Sequence, residues 1–292
     1  MRAPAVIDEV LRQACDRAGL APGPVQLIHR HASTVYLLPA DAIVVRISDT
    51  PWRLGQARTA VELTRWLGEH HFPAAQPASI GQPLEISGHA VTFWTYHPQA
   101  GTRPGIADLG RLLRRLHDLP PPPVALPEFR PLAHLLARLP NTDVIRPPER
   151  RWITDEAHRL LGCYAELDSP LGHGHIHGDA YLGNTLNTAD GTVLADWDDA
   201  ARGPRELDLA NTYQSVRYGR TTPDELDTFA DAYGQDLRGW PGLPILCSIR
   251  DLHTLGSFIH RAAAGDGAAH AELTRRVRSL RDRDDRARWA SS

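Results

Sequence analysis

One stretch near the middle of the chain constrains it more than any other. His175-Ile176-His177-Gly178-Asp179-Ala180-Tyr181-Leu182-Gly183-Asn184 is followed shortly by Leu194-Ala195-Asp196-Trp197-Asp198. Asp179 and Asn184 are separated by four residues, and Asp196 follows an apolar, partly β-branched run, Thr192-Val193-Leu194, that reads as a strand. A loop holding a carboxylate and an amide, with a second carboxylate at the end of a following strand, is a small set of oxygen-bearing groups drawn from two segments.

Those groups suit phosphoryl transfer. Most of the barrier to such a reaction is lowered by placing a hydroxyl in line with a γ-phosphate and neutralising the charge on its oxygens. Asp179 is expected to orient the attacking hydroxyl and accept its proton. The amide oxygen of Asn184 and the carboxylate of Asp196 are expected to hold Mg²⁺ against the nucleotide, since magnesium requires oxygen ligands.

His177-Gly178-Asp179-x-x-x-x-Asn184, then Asp196-Trp197-Asp198, then Gly203-Pro204-Arg205-Glu206-Leu207-Asp208-Leu209-Ala210 together resemble the aminoglycoside phosphotransferase and choline kinase family, small-molecule relatives of the protein kinases. The likeness is densest over residues 175 to 210 and weaker over 25 to 118. It implies an α+β, bilobal protein-kinase-like fold, with an antiparallel-sheet nucleotide lobe over residues 1–97. A larger, mainly helical lobe over 98–292 would carry the catalytic loop and the acceptor site. It also implies ATP or GTP as phosphoryl donor and a small hydroxylated acceptor, aminoglycosides and other antibiotics among them.

The resemblance carries over to further residues one by one. The turn His31-Ala32-Ser33-Thr34 stands where the family covers the nucleotide phosphates; it lacks glycine but offers backbone N–H groups and the hydroxyls of Ser33 and Thr34. Arg46 stands where kinase-like proteins place a third-strand lysine, keeping the charge on a longer, planar fork. Glu62, within a helical pattern over 53 to 70, matches the carboxylate that orients that cation, although pairing with Arg58 or Arg65 explains it equally well. Thr95, Tyr96 and His97 match the hinge whose main-chain groups hold the base. Asp198 and Asp199 are candidates for attracting a cationic acceptor, as is the acidic run Asp224, Glu225, Asp227 and Asp231, for which helix caps and exposed faces are the better account.

Composition narrows the field. The 292 residues hold no lysine, so all 32 basic side chains are arginine and no site can use an ammonium of that kind. A formal net charge of -3 argues against a nucleic-acid binder relying on broad phosphate neutralisation. No run of about 18 apolar residues is present, so no membrane helix is expected. Acidic residues stand too near the start for a secretory signal, leaving cytoplasmic residence as the expectation. Cys15, Cys163 and Cys247 are far apart and odd in number, which reads as buried small hydrophobes rather than a disulfide framework.

The remaining chain reads as follows. An amphipathic helix is expected over 6–18, ended by Gly19, then three antiparallel strands over 25–30, 34–38 and 42–47. A hairpin turns at Gly88 between 83–87 and 89–96. Leucines at helical spacing mark 106–119, which runs into Pro120 to Pro123. Residues 124–150 suggest only short helical pieces, and 155–167 forms a helix leading to the catalytic loop. Helices are expected over 206–218, from Thr222-Pro223-Asp224-Glu225 through Tyr233, and over 244–264 and 268–288, with Arg275 to Arg288 a solvated, ion-paired helix.

Two other readings fit part of these residues. His173, His175 and His177 alternate as they would on one face of a strand, and imidazoles so placed could bind zinc in a metal-dependent hydrolase. A nucleotide-binding regulator without turnover is suggested by Arg46 and the glycine-free turn.

Overall fold

The apolar periodicities become an antiparallel sheet and a set of helices. The computed structural model describes residues 4–21, 23–30, 33–48, 53–99 and 101–290. His31 and Ala32 of the expected phosphate-covering turn lie outside them. By contacts the chain divides into two compact units, Met1–Pro127 with His177–Ala201, and Glu128–Ile176 with Arg202–Ser292.

The first unit is built on five strands: β1 (Gln26–Arg30), β2 (Ser33–Leu38), β3 (Ile43–Ser48), β4 (Leu84–Ile86) and β5 (His89–Thr95). Their order is β1-β2-β3-β5-β4, antiparallel throughout. Period-2 alternation sends Tyr36, Leu38, Val45, Ile47, Val91 and Phe93 to one face, where Ile7, Val10, Leu11 and Ala14 of helix α1 (Pro4–Ala18) cover them. Fully burying a side chain such as Phe93 is worth about 1.5–3 kcal/mol, so this sandwich fixes the register of β3 and β5. Alternation therefore turns Arg46 of β3 to the opposite face, level with Val35 and Thr92.

Helix α2 (Leu54–Glu69) packs on β5 through its buried stripe Ala57, Ala60, Val61, Thr64 and Leu67. The unit also holds α3 (Ile106–His117) and the hairpin of β7 (Thr185–Thr188) and β8 (Gly191–Leu194). The hairpin is fastened to the loop after α2, where Ala75 N–H donates to Leu194 O at 2.9 Å and Leu194 N–H to Pro73 O at 2.8 Å.

The second unit is mainly helical: α4 (Ala133–Arg138), α5 (Pro147–Ala165), α6 (Glu206–Gln214), α7 (Pro223–Tyr233), α8 (Leu243–His253), α9 (Leu255–Ala263) and α10 (Gly267–Arg281). Two short strands, β6 (His173–Ile176) and β9 (Ala201–Pro204), lie at the ends of its two chain segments. α5 begins well before residue 155, because Pro147 and Pro148 occupy its first positions, where a missing N–H costs nothing. α7 opens on the expected capping box, Thr222 Oγ1 accepting from Glu225 N–H and Glu225 from Thr222 N–H.

Several expectations are corrected here. The helix read over 244–264 is broken at Thr254, whose hydroxyl donates to Asp251 O at 2.8 Å and accepts from Arg276 Nη1 at 2.8 Å. The helix read over 268–288 stops at Arg281, and the chain folds back through Trp289 and Ala290. Arg276 is not solvated: it is 1% exposed, with its guanidinium 4.1 Å from the Phe258 ring centre and 4.7 Å from that of Trp289. It also donates to Glu272 Oε1 at 2.9 Å and Ala290 O at 2.6 Å. The three cysteines are free and partly rather than fully buried. Among the described residues no helix is long and apolar enough to cross a membrane.

Candidate active site

Gly178 lets the chain turn sharply after His177, at φ +82°, a conformation open to glycine and costly for other residues. The next residue, Asp179, is half-buried. A single 3-10 turn, Leu182–Asn184, then returns the chain so that Asn184 Nδ2 donates to Asp179 O at 2.9 Å and to Asp179 Oδ2 at 3.3 Å. The four-residue spacing thus delivers an amide onto the carboxylate. Because Nδ2 is engaged, the Asn184 side chain presents Oδ1 as its remaining acceptor.

His177 stitches this loop to the end of β8. Its Nε2–H donates to Ala195 O at 2.9 Å, and Asp179 N–H donates to its Nδ1 at 3.3 Å, which fixes the proton on Nε2. The ring is fully buried 4.6 Å from that of Trp197, which packs edge-on to Phe72 at 5.9 Å. Ala195 N–H also donates to Asn184 O at 2.8 Å. Asp196 is therefore one residue beyond a main-chain bond to Asn184. It sits at φ +64°, ψ +65°, a left-handed conformation whose strain is typical of functional sites in non-glycine residues.

Arg46 reaches across from β3 to this segment. Its Nη1 lies 2.7 Å from Asp196 Oδ1, its Nη2 2.9 Å from Asp198 Oδ2, and its Nε donates to Ser33 Oγ at 3.0 Å. Arg53 Nη1 is 3.6 Å from the same Asp198 oxygen. Desolvation alone would lower the Arg46 pKa, but the charges of Asp198 and Asp196 outweigh it and raise it. For Asp196, desolvation is overcome by Arg46 and the carboxyl is held below its usual range. For Asp198, desolvation prevails, the Asp196 charge adds to it, and the carboxyl is pushed up.

Asp179, Asn184, Asp196, Arg46 and Ser33 are thus brought together. Glu62 is not: it is exposed on α2 and makes no ion pair with Arg46 among the described residues. Thr34 is buried in β2 beside Ser33. At the end of β5, Thr95 N–H donates to Gln76 O and Tyr96 N–H to Ala42 O, so these two donors of the expected hinge are already committed; His97 follows, half-buried. Asp199 is exposed, with its carbonyl against Gly178. Of the acidic run, Glu225 caps its own helix and Asp227 pairs with Arg238.

Sequence reasoning missed Arg53 and the stitching role of His177. The only signals were an arginine at the mouth of a helix and a histidine directly before Gly-Asp. The zinc reading finds no support, because both nitrogens of His177 are engaged and no group of three or more His, Cys, Asp or Glu among the described residues could hold a metal.

The same architecture recurs in solved structures. An amicoumacin kinase, hAmiN, in complex with AMP-PNP, Ca²⁺ and Ami is 16% identical, with 97% of this chain and 95% of that one covered at a TM-score of 0.75. The choline kinase LicA from Streptococcus pneumoniae is 13% identical over 95% of this chain and 99% of its own, at 0.69. The aminoglycoside phosphotransferase APH(3'')-Id from Streptomyces rimosus is 16% identical over 86% and 99%, at 0.62. These likenesses establish the kinase-like fold. No curated protein matches the chain in sequence. Residues 24–246, well over half of the chain, match the model of the phosphotransferase enzyme family, and with a kinase-like fold beneath that match the chain belongs to this family.

Proposed function

We propose that the chain is an ATP- or GTP-dependent O-phosphotransferase that moves a γ-phosphate to a hydroxyl of a small molecule. The observation that carries this reading is the Asp179–Asn184 contact in one loop, tied by the Ala195–Asn184 main-chain bond to Asp196. Asp179 accepts the proton of the acceptor hydroxyl, and its hydrogen bond from Asn184 fixes the plane of the carboxylate. Asn184 through Oδ1 and Asp196 through its exposed carboxylate fit Mg²⁺, whose role when bound is to neutralise charge on the phosphate oxygens. Arg46 contacts the phosphates with its planar fork, beside the hydroxyls of Ser33 and Thr34. The base is held by main-chain groups of Thr95–His97 other than the two committed N–H donors.

In this reading residues 1–97 handle the nucleotide, and 98–292 supply the catalytic loop and select the acceptor. Similar structures bear the names of an antibiotic kinase, a choline kinase and an aminoglycoside phosphotransferase, which supports a hydroxylated small molecule, antibiotics included, as the acceptor class. The test is an ATP-consumption screen of the purified protein with Mg²⁺ against aminoglycosides, other hydroxylated antibiotics, amino alcohols and sugars, with GTP in parallel. Acceptor-dependent consumption with a phosphorylated product establishes the activity. Nucleotide binding without turnover on any acceptor overturns it in favour of a regulator.

A further inference from the structure

We propose that Asp198, not the α2 carboxylate Glu62, is the positioning residue that aims Arg46 at the nucleotide phosphates, an inference that rests on the phosphotransferase reading. Three nitrogens of the Arg46 side chain have separate partners: Nη1 on Asp196, Nη2 on Asp198 and Nε on Ser33. Only one of the two carboxylates can serve full time. Asp196 is 44% exposed and is assigned to the metal, whereas the Asp198 side chain is 18% exposed against an Arg46 that is 19% exposed. When the charge of Asp196 is taken up by a divalent ion, Asp198 remains to orient the fork.

The anchoring of Asp198 fits this task. It lies in the 3-10 turn Trp197–Asp199, directly after a Trp197 that is 2% exposed and whose Nε1–H donates to Leu194 O at 3.1 Å. Its carboxylate is shared with Arg53, so its charge is balanced from two sides and is not available to draw in a cationic acceptor. The pairing also suits an arginine at position 46. A guanidinium spreads its N–H groups over three nitrogens of a rigid planar fork and so reaches Ser33, Asp196 and Asp198 together, whereas the three donors of an ammonium radiate from one nitrogen.

The test uses the full chain, with AMP-PNP and Mg²⁺ in calorimetry and ATP in steady-state kinetics. Asp198→Asn is expected to weaken AMP-PNP binding and raise the KM for ATP about tenfold, as for loss of a charged hydrogen bond. In an Arg46→Ala background the same change is expected to have little further effect. Glu62→Gln is expected to cost less than Asp198→Asn, and Asp198→Ser serves if the asparagine variant does not fold. The inference is overturned if Asp198→Asn binds AMP-PNP as tightly as the unaltered chain, if its effect is equally large without Arg46, or if Glu62→Gln costs as much or more. An unaltered chain that binds no nucleotide overturns the phosphotransferase reading and this inference with it.

Discussion

Gly178 faces Asp199 so closely that a Cβ built on the glycine would lie 2.2 Å from the Asp199 carbonyl oxygen. The loop carrying Asp179 and the turn carrying Asp196 and Asp198 therefore meet backbone to backbone, and a side chain at 178 would push them apart. Gly178→Ala is expected to combine this clash with a left-handed strain of about 1–2 kcal/mol. A lower melting temperature together with turnover reduced at least about tenfold should result. A variant with unchanged melting and turnover would show that the two segments can separate without consequence.

Asp179→Ala should abolish transfer while leaving nucleotide affinity near that of the unaltered chain. A positioned general base contributes roughly 10²–10⁴-fold. Single-turnover transfer and AMP-PNP binding, measured on the same preparation, separate the two effects. Unaltered turnover would remove Asp179 as the proton acceptor.

Chelation of divalent cations should stop ATP consumption, and added Mg²⁺ should restore it. Asp196→Asn should shift the Mg²⁺ concentration needed for half-maximal rate upward by at least about tenfold, the lower end of the loss seen when even a partner that only orients a ligand is removed. A Mg²⁺ titration of the initial rate reads this directly, and an unmoved midpoint would count against Asp196 as a ligand.

The helical unit has its own pH signature. Arg238 first, and then the hydroxyl of Tyr213, hold the Asp236 carboxyl down at about 2, against an ordinary value near 3.8. Its folded pKa lies below its unfolded one, so its contribution is present above about pH 4 and is lost as pH falls toward 2. Burial pushes the Tyr213 phenol up to about 12, so its contribution is present below its ordinary value near 10 and is lost as pH rises toward 12. Tyr213→Phe should reduce the alkaline part, of which the Tyr164 phenol and the Cys247 thiol, both also pushed up to about 12 by burial, keep a share. Thermal melts across both ranges test the assignment, and an alkaline slope left unchanged by the substitution would refute it.

Arg276→Met should destabilise the chain by about 1.5–3 kcal/mol, because it removes the charged hydrogen bonds to Glu272 and Ala290 O, while Glu272 keeps Arg275 and the Ala290 N–H. Arg276→Lys should recover only part of the loss, since an ammonium cannot reach Glu272, Thr254 and Ala290 together. Denaturant midpoints at constant slope measure both variants.

Local pattern made much of this legible. The apolar spacing over 6–18 and 106–119 marked α1 and α3, and the alternation around Tyr36, Val45 and Phe93 marked the sheet, because one buried face leaves a periodic trace. Asp179 and Asn184 could be paired from sequence because a five-residue separation closes within one loop. Arg276 could not be read: an arginine among charges looks solvated, and its aromatic walls come from other parts of the chain, Phe258 of α9 and Trp289 of the returning tail. Thr254, where the helix breaks, accepts a hydrogen bond from that same arginine. The partners of Arg46 were likewise hidden, because Asp198 meets it only after the sheet and the β7–β8 hairpin come together.

The first unit is assembled from two stretches of chain separated by residues 128–176. During synthesis the amino-terminal sheet, with Arg46 and Ser33, leaves the ribosome long before Asp179, Asp196 and Asp198 exist. Until then the main chain at Pro73 and Ala75 lacks the Leu194 edge that fastens to it. A fragment ending at residue 127 would be an incomplete nascent module, and its reaction centre would have to be supplied later, by the ribosome or by a complementing peptide spanning 177–201.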